Sequence, residues 1–217
     1  MPEEAQDQPT RRWRGQTTEQ RQAARRKLLI EAGIELFGTQ GYASTSVKAV
    51  CDEAGLTERY FYEAFPDREG LLIAIYDMLI EDAAAATLKS IEGIEDDMKL
   101  SMRAALHGFA SHVTKDPRRA RIQEIEVIGV SPALEERRRN AIHAFADLIA
   151  ARVRQFGGRE QAGPIRLDVI SLGLVGAVNE QLIDYVLGHL DISLDDLVAN
   201  QVAVFETLAD RMIPRQD

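Results

Sequence analysis

Residues 45–65 read TSVKAVCDEAGLTERYFYEAF, and this stretch decides the fold. Apolar side chains recur at helical spacing before Gly55, which can adopt the left-handed conformation that ends a helix. Thr57 can cap a second helix, and Leu56 and Phe61 have the spacing of a hydrophobic staple around that cap. The stretch therefore predicts a helix-turn-helix, whose second helix usually enters the DNA major groove.

The second helix of this motif has a core side and an outward side. Because successive helical residues turn by about 100°, Phe61 and Phe65 face the core while Arg59 and Glu63 point away from it. An outward arginine can donate hydrogen bonds to guanine, and an outward glutamate can accept a hydrogen bond from cytosine. At i,i+4 the same two side chains also fit an ordinary surface ion pair. The residues predicted to contact DNA around this motif are Thr45, Lys48, Thr57, Arg59, Tyr60, Tyr62, Glu63 and Arg68.

Residues 41–72, GYASTSVKAVCDEAGLTERYFYEAFPDREGLL, resemble the DNA-binding region of the TetR family of bacterial repressors. The landmarks are Gly-Tyr before the motif, a threonine at its start, Ala-Gly-Leu at the turn and Tyr-x-x-Phe-Pro at its end. The resemblance covers roughly residues 18–75 and implies a dimeric repressor. Three positions, Glu58, Arg59 and Tyr60, depart from the residues frequent in the family. The resemblance therefore does not imply an operator sequence.

Charge is segregated along the chain, although the formal net charge is −9. Residues 11–27 contain seven basic side chains and one acidic one, whereas residues 71–217 contain 16 basic and 23 acidic side chains. This pattern fits a basic DNA-binding head on an acidic body that does not bind DNA.

Residues 1–17 are interpreted as a flexible arm that precedes a head at residues 18–65 and an effector-binding and dimerisation domain at residues 66–217. Basic arms can lie along phosphates or reach the minor groove. A solvated tail without a role is an equal alternative. The arm residues predicted to contact DNA are Arg11, Arg12 and Arg14.

Residue types that carry catalytic, redox or metal chemistry are sparse. The single Cys51 excludes an internal disulfide framework and fits the reducing cytoplasm, where we expect the protein. The four histidines have no metal-ligand spacing, and no phosphate loop or nucleophile elbow occurs. The sequence predicts no metal, no cofactor and no enzyme activity. No apolar stretch is long enough to predict a membrane partner.

After the motif, a long helix capped by Asp67 and running to about Ser90 is predicted to belong to both head and body. Asp116-Pro117 and Ser131-Pro132 separate the helices that follow, and residues 157–164 are interpreted as a loop. A cavity among the body helices is predicted to bind a small, largely apolar effector, although each lining residue alone also fits plain core. The predicted lining is Met102, Phe109, His112, Glu124, Ile128, Phe145, Ile149 and Asn179.

The last two helices are predicted to form the dimer interface. Residues 165–187 are apolar on nearly every side, and residues 194–212 repeat apolar positions with the 4-3-4-3-4 spacing of a heptad seam. Both seams also fit an internal core. The predicted interface residues are Leu172, Gly176, Ile183, Val186, Val198, Gln201, Phe205, Leu208 and Met212.

These features predict an all-α protein of about nine helices that represses transcription. It would bind a near-palindromic operator as a homodimer and leave it when an effector moves the helix that begins after Asp67. Two alternatives stay open. One is a constitutive DNA-binding protein with a fully packed body, and the other is a helical-bundle enzyme with a vestigial head.

Overall fold

The computed structural model describes residues 17–213, and within them the protein is all-α apart from one short hairpin. The predicted fold class is therefore confirmed. The predicted arm contacts at Arg11, Arg12 and Arg14 lie outside the described residues. The elements are α1 (Thr18–Gln40), α2 (Val47–Ala54), α3 (Glu58–Ala64), α4 (Arg68–Ser90), α5 (Met98–Thr114), α6 (Pro117–Arg121), a π-helical turn (Ile122–Glu126, hereafter the π-turn), α7 (Pro132–Gln155), β1 (Gln161–Ala162), β2 (Ile165–Arg166), α8 (Leu167–Val186) and α9 (Leu194–Met212).

The predicted helix-turn-helix is formed by α2 and α3. Gly55 ends α2 in the left-handed conformation, with φ 64° and ψ 32°. Phe61 and Phe65 are buried in the head core, and Leu56 packs against the same core. Thr57 occupies the cap position of α3, but its side chain makes no capping hydrogen bond, which differs from the prediction. Packing of the aromatic side chains, rather than that cap, therefore holds α3 against the head.

Two side-chain caps begin the long helices of the head, and the one at Asp67 was predicted. At α1, the Thr17 hydroxyl accepts from the Gln20 backbone nitrogen at 3.1 Å, and the Gln20 side chain accepts from the Thr17 nitrogen at 2.8 Å. At α4, the Asp67 carboxylate accepts from the Gly70 nitrogen at 2.8 Å. The first turns of α4 bury Leu72 in the head core, whereas Ala83 lies in a body core cluster. A single rigid helix thus belongs to both halves.

A second connection between head and body runs through α1 and α6. Gly38 was expected near the end of α1, but the helix continues to Gln40, and Gly38 is buried within it. A Cβ atom at Gly38 would lie 2.5 Å from the Cβ and 2.7 Å from the Cα of Arg118 on α6. Arg118 Nη1 also donates to Glu35 Oε2 at 2.6 Å. The absent side chain at Gly38 therefore allows α1 and α6 to pack backbone against backbone.

The body consists of α5 and α7–α9 around an apolar core. Leu106, Leu182 and Phe205 belong to one buried cluster of this core. By length and mean hydropathy (1.2) alone α8 could cross a membrane, whereas the sequence showed no uncharged apolar run of that length. The segment interpreted as a loop, residues 157–164, contains β1 and the turn at Gly163 (φ 60°), and β2 follows directly to complete an antiparallel hairpin.

The structure contradicts the α9 part of the predicted dimer interface at four residues. Phe205 is 6% exposed, and Val198, Gln201 and Met212 are more deeply buried, all within the protomer. The heptad spacing of α9 therefore marks a face that packs inside its own chain. Of the remaining residues, Leu208 packs against the body core, Ile183 lines an internal cavity, and Val186 packs against the cluster around Ala83. Leu172 is exposed and Gly176 partly exposed on the outer side of α8.

We expect Gly38→Ala to lower the free energy of unfolding by about 1–3 kcal/mol, because the added methyl group must displace the Arg118 backbone. The helix preference of alanine over glycine, up to about 1 kcal/mol, offsets part of this loss. Gly33→Ala is the matched control, since its Cβ would meet only movable side-chain ends of Ile75 and Leu71. Urea unfolding of both variants measures the difference. Equal stabilities would contradict the packing role of Gly38.

Candidate functional site

The outward side of α3 carries an arginine–glutamate pair. Arg59 Nε lies 3.2 Å from Glu63 Oε1, and the Arg59 side chain is 84% exposed. Arg25 of α1 approaches the other carboxylate oxygen, with Nη2 3.5 Å from Glu63 Oε2. Glu63 is therefore shared between two guanidinium groups. Exposed ion pairs of this kind contribute little to stability, so Arg59 can leave Glu63 for another acceptor at small cost.

Arg25 is a site residue that the sequence analysis missed. Its guanidinium lies over the Tyr60 ring, 4.2 Å from the ring centroid, in addition to pairing with Glu63. It therefore orients two of the predicted DNA-contacting side chains of α3. The excess of basic residues between positions 11 and 27 was the only sequence signal for it, and that signal did not distinguish Arg25 from its neighbours.

Three further predicted contacts lie on the exposed surface of the helix-turn-helix. Tyr62 and Thr57 are exposed on and before α3. Lys48 on α2 is also exposed and pairs with Asp52, Nζ to Oδ2, at 2.6 Å. These three side chains are accessible to a DNA backbone that lies across α2 and α3.

Two predicted contacts have structural positions instead. Thr45 is 1% exposed, and its hydroxyl donates to the Gly41 carbonyl oxygen at 2.8 Å, so the prediction of a DNA-contacting side chain there is wrong. Arg68 is partly buried, donates from Nη1 to the Thr45 carbonyl oxygen and lies over the Tyr42 ring, 4.1 Å from its centroid. Both residues hold the link between α1 and α2 in place.

The body contains a cavity of about 270 Å³ among α4, α5, the π-turn, α7 and α8. Its wall is largely apolar, as expected for a site that binds a small molecule. The structure places His112 away from this cavity, so that part of the predicted lining is wrong. The predicted residues that do line the cavity are Met102, Phe109, Glu124, Ile128, Phe145, Ile149 and Asn179.

The cavity has a polar region where the π-turn forms its wall. The Gln123 side-chain amide donates to Glu124 Oε1 at 2.9 Å. Burial raises the pKa of the Glu124 carboxyl to about 7, while Gln123 and the charge of Arg138 act in the opposite direction. Burial, followed by the proximity of Glu124, raises the pKa of the Tyr76 hydroxyl. The Glu124 carboxyl is therefore poised to change charge near neutral pH.

Arg152 lines the cavity away from the π-turn but is engaged by the protein itself. Its Nε donates to the Ser101 hydroxyl at 2.9 Å, and its Nη1 donates to Gln155 Oε1 at 2.6 Å. Its Nη2 donates to the Ile94 carbonyl oxygen, and the guanidinium lies 5.0 Å from the Phe156 ring centroid. These contacts tie α7 to the loop before α5 and leave few donors for a ligand.

The π-turn also contacts the link that precedes the helix-turn-helix. Glu126 Oε2 accepts from the Tyr42 backbone nitrogen at 2.7 Å. Its Oε1 accepts from Arg121 Nε at 2.8 Å, and the Glu126 side chain is only 12% exposed. Two residues earlier, Glu124 lines the cavity. One five-residue segment therefore touches both the cavity and the head.

The residues with potential metal or redox chemistry are dispersed. Cys51 is buried in the head core, where burial raises the pKa of its thiol and lowers its reactivity. His107 and His189 each approach one aspartate, Asp195 at 3.3 Å and Asp184 at 3.1 Å. Between Thr17 and Ile213, no group of three His, Cys, Asp or Glu side chains is arranged to hold a metal ion.

Comparison with known proteins agrees with this geometry. The family profile described as "Bacterial regulatory proteins, tetR family" matches residues 29–75, which include α2 and α3. The chain is 28% identical to the HTH-type transcriptional regulator UidR of Escherichia coli K12 over 176 residues, 79% of this chain and 83% of UidR. Residues 29–75 therefore form the DNA-binding region of the TetR family.

Other known proteins are similar to different parts of this chain. An uncharacterized HTH-type transcriptional regulator, YuxN of Bacillus subtilis, is 41% identical over 49 residues, which are 23% of this chain and only 17% of YuxN. The crystal structure of the regulator FadR from Bacillus subtilis in complex with stearoyl-CoA superposes with a TM-score of 0.68 at 16% identity and covers 86% of this chain and 98% of that one. The protein is thus a DNA-binding transcriptional regulator of the helix-turn-helix class. Its relatives are regulators rather than enzymes.

We expect Arg59→Ala to weaken binding to a preferred DNA site by about 1–3 kcal/mol and to relax base preference at one position, because Arg59 is the exposed guanidinium of α3. The preferred sites are first selected by the protein from a random pool of DNA. Fluorescence anisotropy on selected and on random DNA then measures both effects. Arg103→Ala, at an exposed position on α5, is the control. An equal loss on both DNAs would show that Arg59 contacts only phosphates.

Proposed function

We propose that this protein is a ligand-responsive repressor that binds a near-palindromic operator as a homodimer and is released by a small molecule bound in the body cavity. The contact of the π-turn with both cavity and head carries the proposal. A ligand that displaces Glu124 or Gln123 acts on the segment whose Glu126 binds the Tyr42 nitrogen. Displacement of the π-turn therefore moves the residues that lead into the helix-turn-helix.

The long helix α4 offers a parallel route for the same response. Tyr76 and Ile80 line the cavity, and Leu71 and Leu72 lie in the head core on the same helix. A shift of α4 would change the separation of the two recognition helices in a dimer. Those helices must match half-sites about 34–36 Å apart, one turn of DNA. A ligand that prefers the mismatched arrangement releases the operator by its differential affinity, typically about 1–3 kcal/mol.

The exposed face of α8 supports a revised dimer interface. Val169 is 60% exposed and Leu172 is 36% exposed, and Gly173, Gly176 and Ala177 continue the same side of the helix. A Cβ atom at Gly173 or Gly176 would meet nothing within 4 Å in the protomer. An apolar face with small residues and no covering element is suited to close approach by another helix. We therefore move the proposed interface from the buried seam of α9 to this outer face of α8.

Leu172→Glu tests this interface, because it places a charge on the outer face of α8 without disturbing the core. We expect sedimentation velocity to show a shift from dimer to monomer, and footprinting to show loss of the two-fold operator pattern. Leu100→Glu is the matched control, since Leu100 is an exposed leucine on α5.

Footprinting with the unaltered protein tests the operator itself. We expect protection of two half-sites related by two-fold symmetry, about one helical turn apart. A single protected half-site, or an unchanged dimer with Leu172→Glu, would contradict the proposed assembly.

The two alternatives from the sequence are less well supported. A constitutive DNA-binding protein was expected to have a fully packed body, and the body contains a cavity of about 270 Å³. An enzyme with a vestigial head finds no support among the relatives, which are transcriptional regulators.

A further inference from the structure

A buried carboxyl group on the cavity wall lacks a cationic partner. In the part of the chain between Thr17 and Ile213, Glu124 makes one side-chain hydrogen bond, the one from Gln123, and it joins no salt bridge. Its charged neighbour Arg138 pairs with Glu135 instead, Nε to Oε2 at 3.4 Å. Glu124 is 7% exposed, so bulk water does little to solvate a negative charge there.

An ionised carboxylate in such a place is costly unless a cation compensates it. Burial raises the pKa of Glu124 to about 7, so the carboxyl avoids this cost by staying partly protonated near neutral pH. A bound cation would remove the cost directly. The wall around Glu124 therefore favours a ligand whose polar end is positively charged.

We propose that the effector is an amphipathic amine whose ammonium group binds Glu124 and whose apolar body fills the cavity between α5 and α7. This inference rests on the proposed function and specifies the ligand class of the same site. Phe109 and Phe145, whose ring centroids are 5.1 Å apart, line the apolar part together with Met102 and Ile149.

Other polar groups on the wall suit the same end of the ligand. An ammonium group has three donors. Tyr76 and Asn179 line the same cavity as Glu124, and a tyrosine hydroxyl and an amide oxygen are both acceptors for such donors. The titratable or charged groups that act on Glu124 or share its cavity wall are Tyr76 on α4, Arg138 and Arg152 on α7, and Glu180 on α8. Nearby, Arg121 on α6 pairs with Glu126, and Glu35 on α1 pairs with Arg118.

Isothermal titration calorimetry with three probes of equal chain length tests the ligand class on the full-length protein without DNA. The probes are n-octylammonium, 1-octanol and octanoate, which differ only in the charge of the polar end. We expect n-octylammonium to bind most tightly. Glu124→Gln should weaken n-octylammonium by about 10- to 100-fold, since a hydrogen bond to a charged group is lost, and should leave 1-octanol nearly unchanged. Glu136→Gln, at an exposed glutamate on α7, is the control.

The pH dependence distinguishes a charge effect from a change of shape. Because the ammonium requires the ionised carboxylate, its affinity should rise about tenfold between pH 6 and pH 8 as Glu124 deprotonates around pH 7. Octylammonium itself stays charged across this range, since alkylamines titrate near the lysine pKa of about 10.4. Binding at pH 6 should release close to one proton, which titrations in buffers of different ionisation enthalpy measure. Glu124→Gln should abolish both effects.

Each alternative outcome overturns the inference in a recognisable way. If octanoate binds most tightly, the polar end of the ligand is assigned to Arg138 instead of Glu124. The proposed binding of an effector in the cavity would then still stand. Equal affinity of all three probes would mean that only the apolar wall binds. Failure of every probe would overturn both the ligand class and the cavity's role, while operator binding, measured separately, would be unaffected.

Discussion

A charge-assisted hydrogen bond with little solvent exposure joins the head to the body, beside the shared helix α4 and the packing of α1 on α6. Glu126 accepts from the Tyr42 backbone nitrogen at 2.7 Å and is held from its other oxygen by Arg121 at 2.8 Å. Such bonds are roughly twice as strong as neutral ones, and removing one partner leaves a poorly solvated charge behind. The close approach of Gly38 to Arg118 allows α6 to come near enough for this bond to form.

The same contact is the basis of the coupling that we propose between cavity and head. The π-turn places Glu124 on the cavity wall and Glu126 on the link before α2, so the two carboxylates cannot move independently. π-helical turns depart from regular α-helical hydrogen bonding and frequently occur at functional sites. In this protein the turn reaches the link before the helix-turn-helix through the hydrogen bond between Glu126 and Tyr42, and α4 provides a covalently continuous path.

Local signals predicted the head well, because its helix starts and stops depend on nearby residues such as Thr17, Gly55 and Asp67. Most of the cavity lining was also predictable, since apolar residues on facing helices must meet. The position of the proposed dimer interface was not predictable from the sequence. Heptad spacing shows that the α9 face around Phe205 is apolar, but it does not show whether the covering helix belongs to the same chain. The contacts of Arg25, Arg68 and the π-turn join segments that are distant in sequence. Rules based on the spacing of nearby residues do not predict such contacts.

Coupling between cavity and head is tested most directly by hydrogen exchange in the π-turn, measured by mass spectrometry with and without a selected DNA site. The π-turn lies in the body, away from the exposed faces of α2 and α3. We expect DNA binding to slow exchange in residues 122–126 of the unaltered protein, and we expect Glu126→Gln to lose most of that effect because Tyr42 is then held more weakly. Random DNA is the control. Unchanged exchange in residues 122–126 on binding a selected site would contradict the coupling.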